Sequence, residues 1–123
     1  MLKGIAASQG IAIAKVYKLE QPVLKIVQIS ANPEEELKKL DSAFTKTISD
    51  IEQIKEVASK TLAEEELAIF DAHLMMIGDP EFRASIENEI TSNSVNAEYA
   101  ADSVSKMMIS MFESMDDEYM RAR

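Results

Sequence analysis

Apolar residues recur at spacings of three and four from residue 32 onward, which is the pattern of amphipathic helices. At the start of the first stretch, Asn32 can cap a helix and Pro33 suits the first helical position. Glu35 completes a capping-box-like pattern. The stripe that follows predicts a helix of about 27 residues. It consists of Leu37, Leu40, Phe44, Ile48, Ile51, Ile54 and Val57.

Three more helices follow from the same periodicity. The second runs from about Ala63 to Ile77 and ends at Gly78. Asp79-Pro80 opens a short third helix, and Ser92-Asn93-Ser94 breaks it and caps the fourth. The apolar stripe of the second helix is Leu67, Phe70, Leu74 and Ile77; that of the third is Phe82, Ile86 and Ile90; that of the fourth is Ala97, Ala101, Val104, Met108, Met111 and Met115.

The ends of the chain are different in character. Alternating residues around Ser8-Gln9-Gly10 predict a β-hairpin over residues 2–19, which is marginal in water without a larger sheet. Near Asp116 a further helix begins and has barely one turn, too little to offset its nucleation cost. We therefore expect a fragment of a longer protein. The fold class predicted is mainly α, with two antiparallel helical hairpins after a short β-hairpin.

Composition narrows the class of partner. Eight Met, no Trp and 6% aromatic residues indicate an aliphatic, Met-filled helical interior. The net charge of −9 argues against nucleic acids and anionic membrane surfaces and favours basic proteins. The absence of Cys excludes disulfides and thiolate chemistry, and no apolar run reaches the roughly 20 residues of a membrane span. We expect a cytoplasmic protein.

The second helix also has an unusual opposite face. Small or apolar residues occupy it where a surface helix should be charged, with acids at its ends. Its members are Glu65, Ala68, Ala72, Met75, Met76 and Asp79. Either another helix of the bundle covers this face, or it is an exposed docking face for a partner helix, to which Met and Ala adapt well. Glu64, Glu65 and Asp79 would then steer a basic partner.

His73 is the only histidine of the chain. Phe70 and Ile69 stand three and four residues before it, so it forms no helical pair of metal ligands. No Gly-rich loop or basic cluster flanks it, as a phosphoryl acceptor would need. An interface contact or simple packing remains. The acids at 64–66 and 116–118 suit helix N-termini, and those at 64–66 suit partner recognition as well.

Four segments resemble the enzyme I family of the bacterial phosphotransferase system, the phosphoenolpyruvate–protein phosphotransferases. They are Gly4 to Ala12 (GIAASQGIA), Ala68 to Met76 (AIFDAHLMM) with Asp79-Pro80-Glu81, Asn96-Ala97-Glu98, and Met115 to Arg121 (MDDEYMR). Gln9 stands where the family usually has Pro. The chain also ends before the family's Gly-rich segment with the phosphorylated His and before its phosphoenolpyruvate- and magnesium-binding barrel.

The resemblance implies an organisation in three parts. Residues 1–20 would be the β-hairpin of a truncated phosphohistidine subdomain, 21–31 a linker, and 32–123 the helical subdomain that binds the carrier HPr, with its last helix truncated. No catalytic residue and no cofactor are expected in this part; magnesium belongs to the parent enzyme. The partner-binding residues carried over are Glu64, Glu65, Ala68, His73, Met75, Met76, Asp79, Glu81 and Arg123.

Two alternatives stay open beside this interpretation. One is a stand-alone helical interaction module without a phosphoryl-transfer role. The other is a di-metal four-helix bundle, which one His disfavours because that site needs two Glu-x-x-His motifs. We further expect the fragment to self-associate through apolar surface on Val104, Met108, Met111 and Met115.

Overall fold

The computed structural model describes residues 10, 13–15, 17–18 and 23–114. Within them lie four helices, and the predicted mainly α fold is confirmed. The predicted β-hairpin over residues 2–19 falls mostly outside the described residues, as does everything from Met115 to Arg123. The helices are α1 (Pro33–Ala58), α2 (Glu64–Ile77), α3 (Pro80–Asn93) and α4 (Ala97–Glu113).

Side-chain oxygens accept hydrogen bonds from backbone amides at the starts of α1, α2 and α3. The Glu34 amide donates to Asn32 Oδ1 over 3.0 Å at the start of α1. This cap uses the residue before Glu35, so the expected capping-box-like role of Glu35 is wrong. At α2 the acceptor is Glu66, whose Oε2 lies 2.9 Å from the Ala63 amide. At α3 the capping residue is Asp79.

Helices α2 and α3 follow α1 in the reverse direction, one after the other. Lys55 near the end of α1 pairs with Asp71 of α2. Further back along α1, the Phe44 ring lies 6.3 Å from that of Phe82, just inside α3. Helices α2 and α3, which are separated at Gly78, have 14 residues each, so that α3 is no shorter than α2. Together they are about as long as the 26-residue α1. The predicted helical hairpins are thus found.

The hydrophobic core lies between α1, α3 and α4, and Ile77 at the end of α2 packs against it. Three side chains are completely hidden or nearly so: Ile86, Ile90 and Val95. The other buried apolar residues are Leu40, Phe44, Ala97, Ala100 and Val104. No residue of α2 is buried, and its stripe is only half-buried. Val104 is 5% exposed, so including it in an exposed self-association surface was wrong.

The start of α4 is held by α1. The Ala97 amide donates to Glu36 Oε2 over 2.7 Å, across 61 positions of sequence. Asn96 occupies the N-cap position, and Ser94 adopts a left-handed conformation with φ of 50°. The expectation that Ser92–Ser94 caps α4 is therefore wrong: these residues end α3, and a carboxylate from another helix caps α4.

Residues 29–31, assigned above to the linker, are hydrogen-bonded to the α3–α4 connection. The Ile29 amide donates to Asn96 Oδ1 over 2.9 Å, and the Asn96 amide donates to the Ile29 carbonyl over 3.0 Å. The Ala31 amide donates to the Ser94 carbonyl over 2.9 Å. This part of the segment is therefore fixed to the helical body. The division into domains stays a prediction.

Candidate partner-docking site on α2

The α2 helix divides sharply between half-buried and exposed residues. Its four half-buried residues are the stripe predicted from periodicity, namely Leu67, Phe70, Leu74 and Ile77. Every other residue of α2 is exposed. Within the described part of the chain, then, no helix covers the opposite face. Of the two interpretations left open by the sequence, the geometry favours an exposed face.

That exposed face is apolar over most of its length. We call it the α2 apolar face, and it comprises Ala68, Ile69, Ala72, Met75 and Met76. Met75 and Met76 are 71% and 69% exposed, and Ile69 is 57% exposed. Large apolar side chains grouped in this way on a surface usually mark an interaction site. The face offers a partner low relief near the Ala residues and adaptable side chains at the Met pair.

Ile69 is a member of this face that the sequence analysis missed. Its position could have shown its role, because it follows Glu65 by four residues and precedes Ala72 by three. Residues at those spacings share one side of a helix.

Carboxylates stand at both ends of the α2 apolar face. Glu64 and Glu65 lie exposed in the first turn of α2, where the helix dipole favours negative charge. Asp79 and Glu81, also exposed, lie at the other end, where α3 begins. Helix α2 contains neither Lys nor Arg, so the face has an acidic rim. This arrangement suits a partner with an apolar centre flanked by basic residues.

Asp79 has a structural task besides any contact with a partner. Its Oδ1 accepts hydrogen bonds from the Glu81 amide at 2.7 Å and the Phe82 amide at 3.3 Å, which caps α3. The cap fixes the carboxylate beside the last turn of α2. Next to it, a Cβ added at Gly78 would meet the Leu74 carbonyl oxygen at 3.0 Å. A side chain at position 78 would thus crowd the junction between the two helices.

Ion pairs hold α2 and α3 against α1. Lys55 Nζ lies 2.5 Å from Asp71 Oδ1. Arg83 of α3 reaches Asp41 of α1 at 2.8 Å, and its guanidinium lies 5.7 Å above the centre of the Phe44 ring of α1. The same guanidinium also pairs with Glu87 of its own helix at 2.8 Å. Exposed pairs of this kind stabilise modestly, by roughly 0–1 kcal/mol each. Their value here is positional, since they orient the helices that bear the apolar face and its acidic rim.

The remaining predicted site residues are placed as follows. His73 is exposed and lies on the flank of the α2 apolar face, between it and the half-buried stripe. Arg123 lies outside the described residues. Among the residues described, no group of three or more His, Cys, Asp or Glu side chains is arranged to hold a metal ion.

The family model of the PEP-utilising enzymes, N-terminal region, matches residues 3–123. The chain belongs to this family. It is 47% identical over 123 residues to the phosphoenolpyruvate-protein phosphotransferase of Priestia megaterium, and 45% identical to that of Bacillus subtilis (strain 168). Each match takes in 99% of this chain and 22% of the relative. The chain thus spans about a fifth of the length of these relatives.

Solved structures agree with the family. An NMR solution structure of Enzyme I (nEIt) has a TM-score of 0.75 and 36% sequence identity, over 83% of this chain and 42% of that one. The N-terminal domain of Enzyme 1 - Nitrogen gives a TM-score of 0.72 over 80% of this chain and 42% of that one. At 22% identity the second match supports the fold alone. In the described part of the structure, none of the helices has the length and hydropathy to cross a membrane.

Proposed function

We propose that this chain is the helical docking part of a phosphoenolpyruvate–protein phosphotransferase and that its α2 apolar face binds the carrier HPr. The whole enzyme would take a phosphoryl group from phosphoenolpyruvate onto its own histidine and pass it to HPr. It would act in the cytoplasm, with magnesium serving the phosphoenolpyruvate step outside this part. The supporting relatives carry that enzyme name and match almost all of this chain.

The observation that carries the docking role is the exposed apolar face with an acidic rim. A partner covering Ile69, Met75 and Met76 would remove large apolar side chains from water, at about 25 cal/mol per Å² of apolar area. The carboxylates at the two ends would attract a basic partner and fix its register. Affinity and orientation therefore come from different residues of the same site.

His73 is proposed as a contact on the flank of the site and not as the phosphorylated residue. It is exposed on the middle of α2, whose charged side chains are all acidic. A phosphoryl group there would meet like charge without a donor cluster to stabilise it. Incubated with radiolabelled phosphoenolpyruvate and magnesium, this chain should retain no label. Stable labelling of His73 would contradict the proposal.

Titration calorimetry with purified HPr tests the face directly. Met75→Asp places a charge at the centre of the proposed contact and should weaken binding by about thirtyfold or more, the effect of a hot-spot residue near 2 kcal/mol. The matched control is Met111→Asp, the same change at a residue 62% exposed on α4. The control should bind as the unaltered chain does. Equal affinities of Met75→Asp and the unaltered chain, with helicity retained by circular dichroism, would remove α2 from the interface.

Asp79 needs two variants, because its carboxylate both caps α3 and is proposed to face HPr. Asp79→Ser keeps a capping oxygen but removes the charge, so it should weaken HPr binding while leaving stability nearly unchanged. Asp79→Ala removes both and should also destabilise the chain by about 1 kcal/mol. Chemical denaturation gives the stability and calorimetry the affinity. Full HPr affinity in Asp79→Ser would restrict this residue to its capping task.

A further inference from the structure

The two methionines of α2 are both strongly exposed, and methionine is the most readily oxidised residue type in this helix. Met75 and Met76 are adjacent in the last turn of α2 and are 71% and 69% exposed. Other exposed methionines lie on α4, at Met107 and Met111, whereas Met108 packs against the core. An exposed thioether is open to small oxidants, and a packed one is shielded from them. The two α2 methionines therefore combine exposure with a place in the docking site.

We propose that Met75 and Met76 are a reversible oxidation site that switches off docking at the α2 apolar face. This inference rests on the proposed function, since it concerns the same surface. The structure supports it through the exposure of both sulfur-bearing side chains and their central place between Ala72 and Asp79. A change at these two residues alters the proposed contact itself and leaves the core, which contains neither, intact.

The oxidant is hydrogen peroxide, and the step balances simply. The methionine sulfur attacks one peroxide oxygen, so that an S–O bond forms as the O–O bond breaks. Sulfur gives up two electrons and becomes a sulfoxide, while the second oxygen leaves with both protons as water. A methionine sulfoxide reductase, with two thiols as the reductant, restores the thioether and releases water and a disulfide.

Sulfoxide formation replaces an adaptable apolar group by a polar one with a strong acceptor oxygen. When HPr covers the face, that oxygen must lose its water. The rest of the α2 apolar face, which is Ala68, Ile69 and Ala72, provides no hydrogen-bond donor, and the ring N–H of His73 lies outside it on the flank. The carboxylates of the acidic rim are acceptors only and do not help. We expect double oxidation to weaken HPr binding by about tenfold or more, as for burial of other unpaired polar groups.

The experiment uses the full 123-residue chain, three proteins and one oxidant. The unaltered chain, Met75→Leu/Met76→Leu and Met107→Leu/Met111→Leu are each treated with hydrogen peroxide, which catalase then removes. Peptide mass spectrometry locates the added oxygens, circular dichroism checks the helices, and calorimetry measures HPr affinity before and after treatment. The Leu pairs keep apolar bulk and cannot form a sulfoxide.

The unaltered chain should lose affinity after treatment, and Met107→Leu/Met111→Leu should lose it by the same factor. Met75→Leu/Met76→Leu should have the same HPr affinity before and after peroxide treatment. HPr added before peroxide should protect Met75 and Met76 but leave Met107 and Met111 oxidised. Unchanged affinity in a chain shown to carry both α2 sulfoxides would overturn the switch and leave the docking role standing. Absence of HPr binding by the untreated chain would overturn the docking role, and the switch with it.

Discussion

Truncating Ile86 to Ala tests whether the core lies where the structure places it. Ile86 is 0% exposed and belongs to the cluster formed by α1, α3 and α4. Removing three buried carbons loses their transfer free energy and leaves a cavity that close-packed neighbours fill only partly. The expected cost is about 2–5 kcal/mol of the free energy of unfolding. Domains of this kind have a total of about 5–15 kcal/mol, so the loss is large.

The matched control is Leu74→Ala, a truncation of equal size in the stripe of α2. Leu74 is only partly buried, so its truncation should cost less than that of Ile86. Thermal unfolding followed by circular dichroism should show the difference, at roughly 4 °C per kcal/mol for a chain of this size. Equal shifts for the two variants, or a larger one for Leu74→Ala, would refute a core centred on α3 and α4.

Three further predictions concern the polar contacts of α4 and its second half. Asn96→Ala should lower the free energy of unfolding by about 1–3 kcal/mol, because it unpairs the Ile29 amide. Asn93→Ala, a change at an exposed residue, should leave it nearly unchanged, and urea denaturation compares the two variants. The hydrogen bond from Lys39 lowers the pKa of Glu98 below its ordinary 4.5, so its stabilisation exists above that pH and disappears as the pH falls through the folded-state pKa. Glu98→Gln should therefore cost at most about 1 kcal/mol at pH 7, and this cost should shrink as the pH is lowered below 4.5; an equal cost at every pH would contradict this pairing. Sedimentation should show concentration-dependent self-association through exposed apolar side chains of α4, and a monomer at every concentration would argue against it. These side chains are Met107, Ile109, Met111 and Phe112.

Local signals in the sequence predicted the helices and the orientation of α2 well. Pro33 and Pro80 mark the first residues of α1 and α3, and the caps precede them directly. The stripe assigned to α2 is the set of residues that the bundle half-buries. Both results depend on neighbours three or four positions apart, which periodicity reports. Periodicity also showed that the opposite face of α2 was apolar, although it could not show what covers it.

Contacts between residues far apart in the sequence could not be predicted from these local signals. Glu36 caps α4 from 61 positions away, and Asn96 binds the Ile29 amide across 67 positions. Only the packing of α1 beside α4 brings these groups together. The depth of burial could not be predicted either, since a helical wheel shows which side of α2 faces the bundle but not how closely it packs. The four residues of the α2 stripe are only partly buried, whereas Ile86 and Ile90 are completely buried.

The weak burial of α2 and its proposed role are physically connected. A helix that is apolar on both sides is usually buried on both, but α2 has a half-buried stripe on one side and the α2 apolar face in water on the other. A partner seated on that face would cover the side of α2 that faces water. The helix would then be packed on both sides and would open locally less often. Binding energy would then be spent partly on ordering α2, so variants that loosen its stripe should weaken docking without touching HPr. Leu74→Ala is such a variant: the docking proposal requires it to reduce HPr affinity while Met75 and Met76 stay in place.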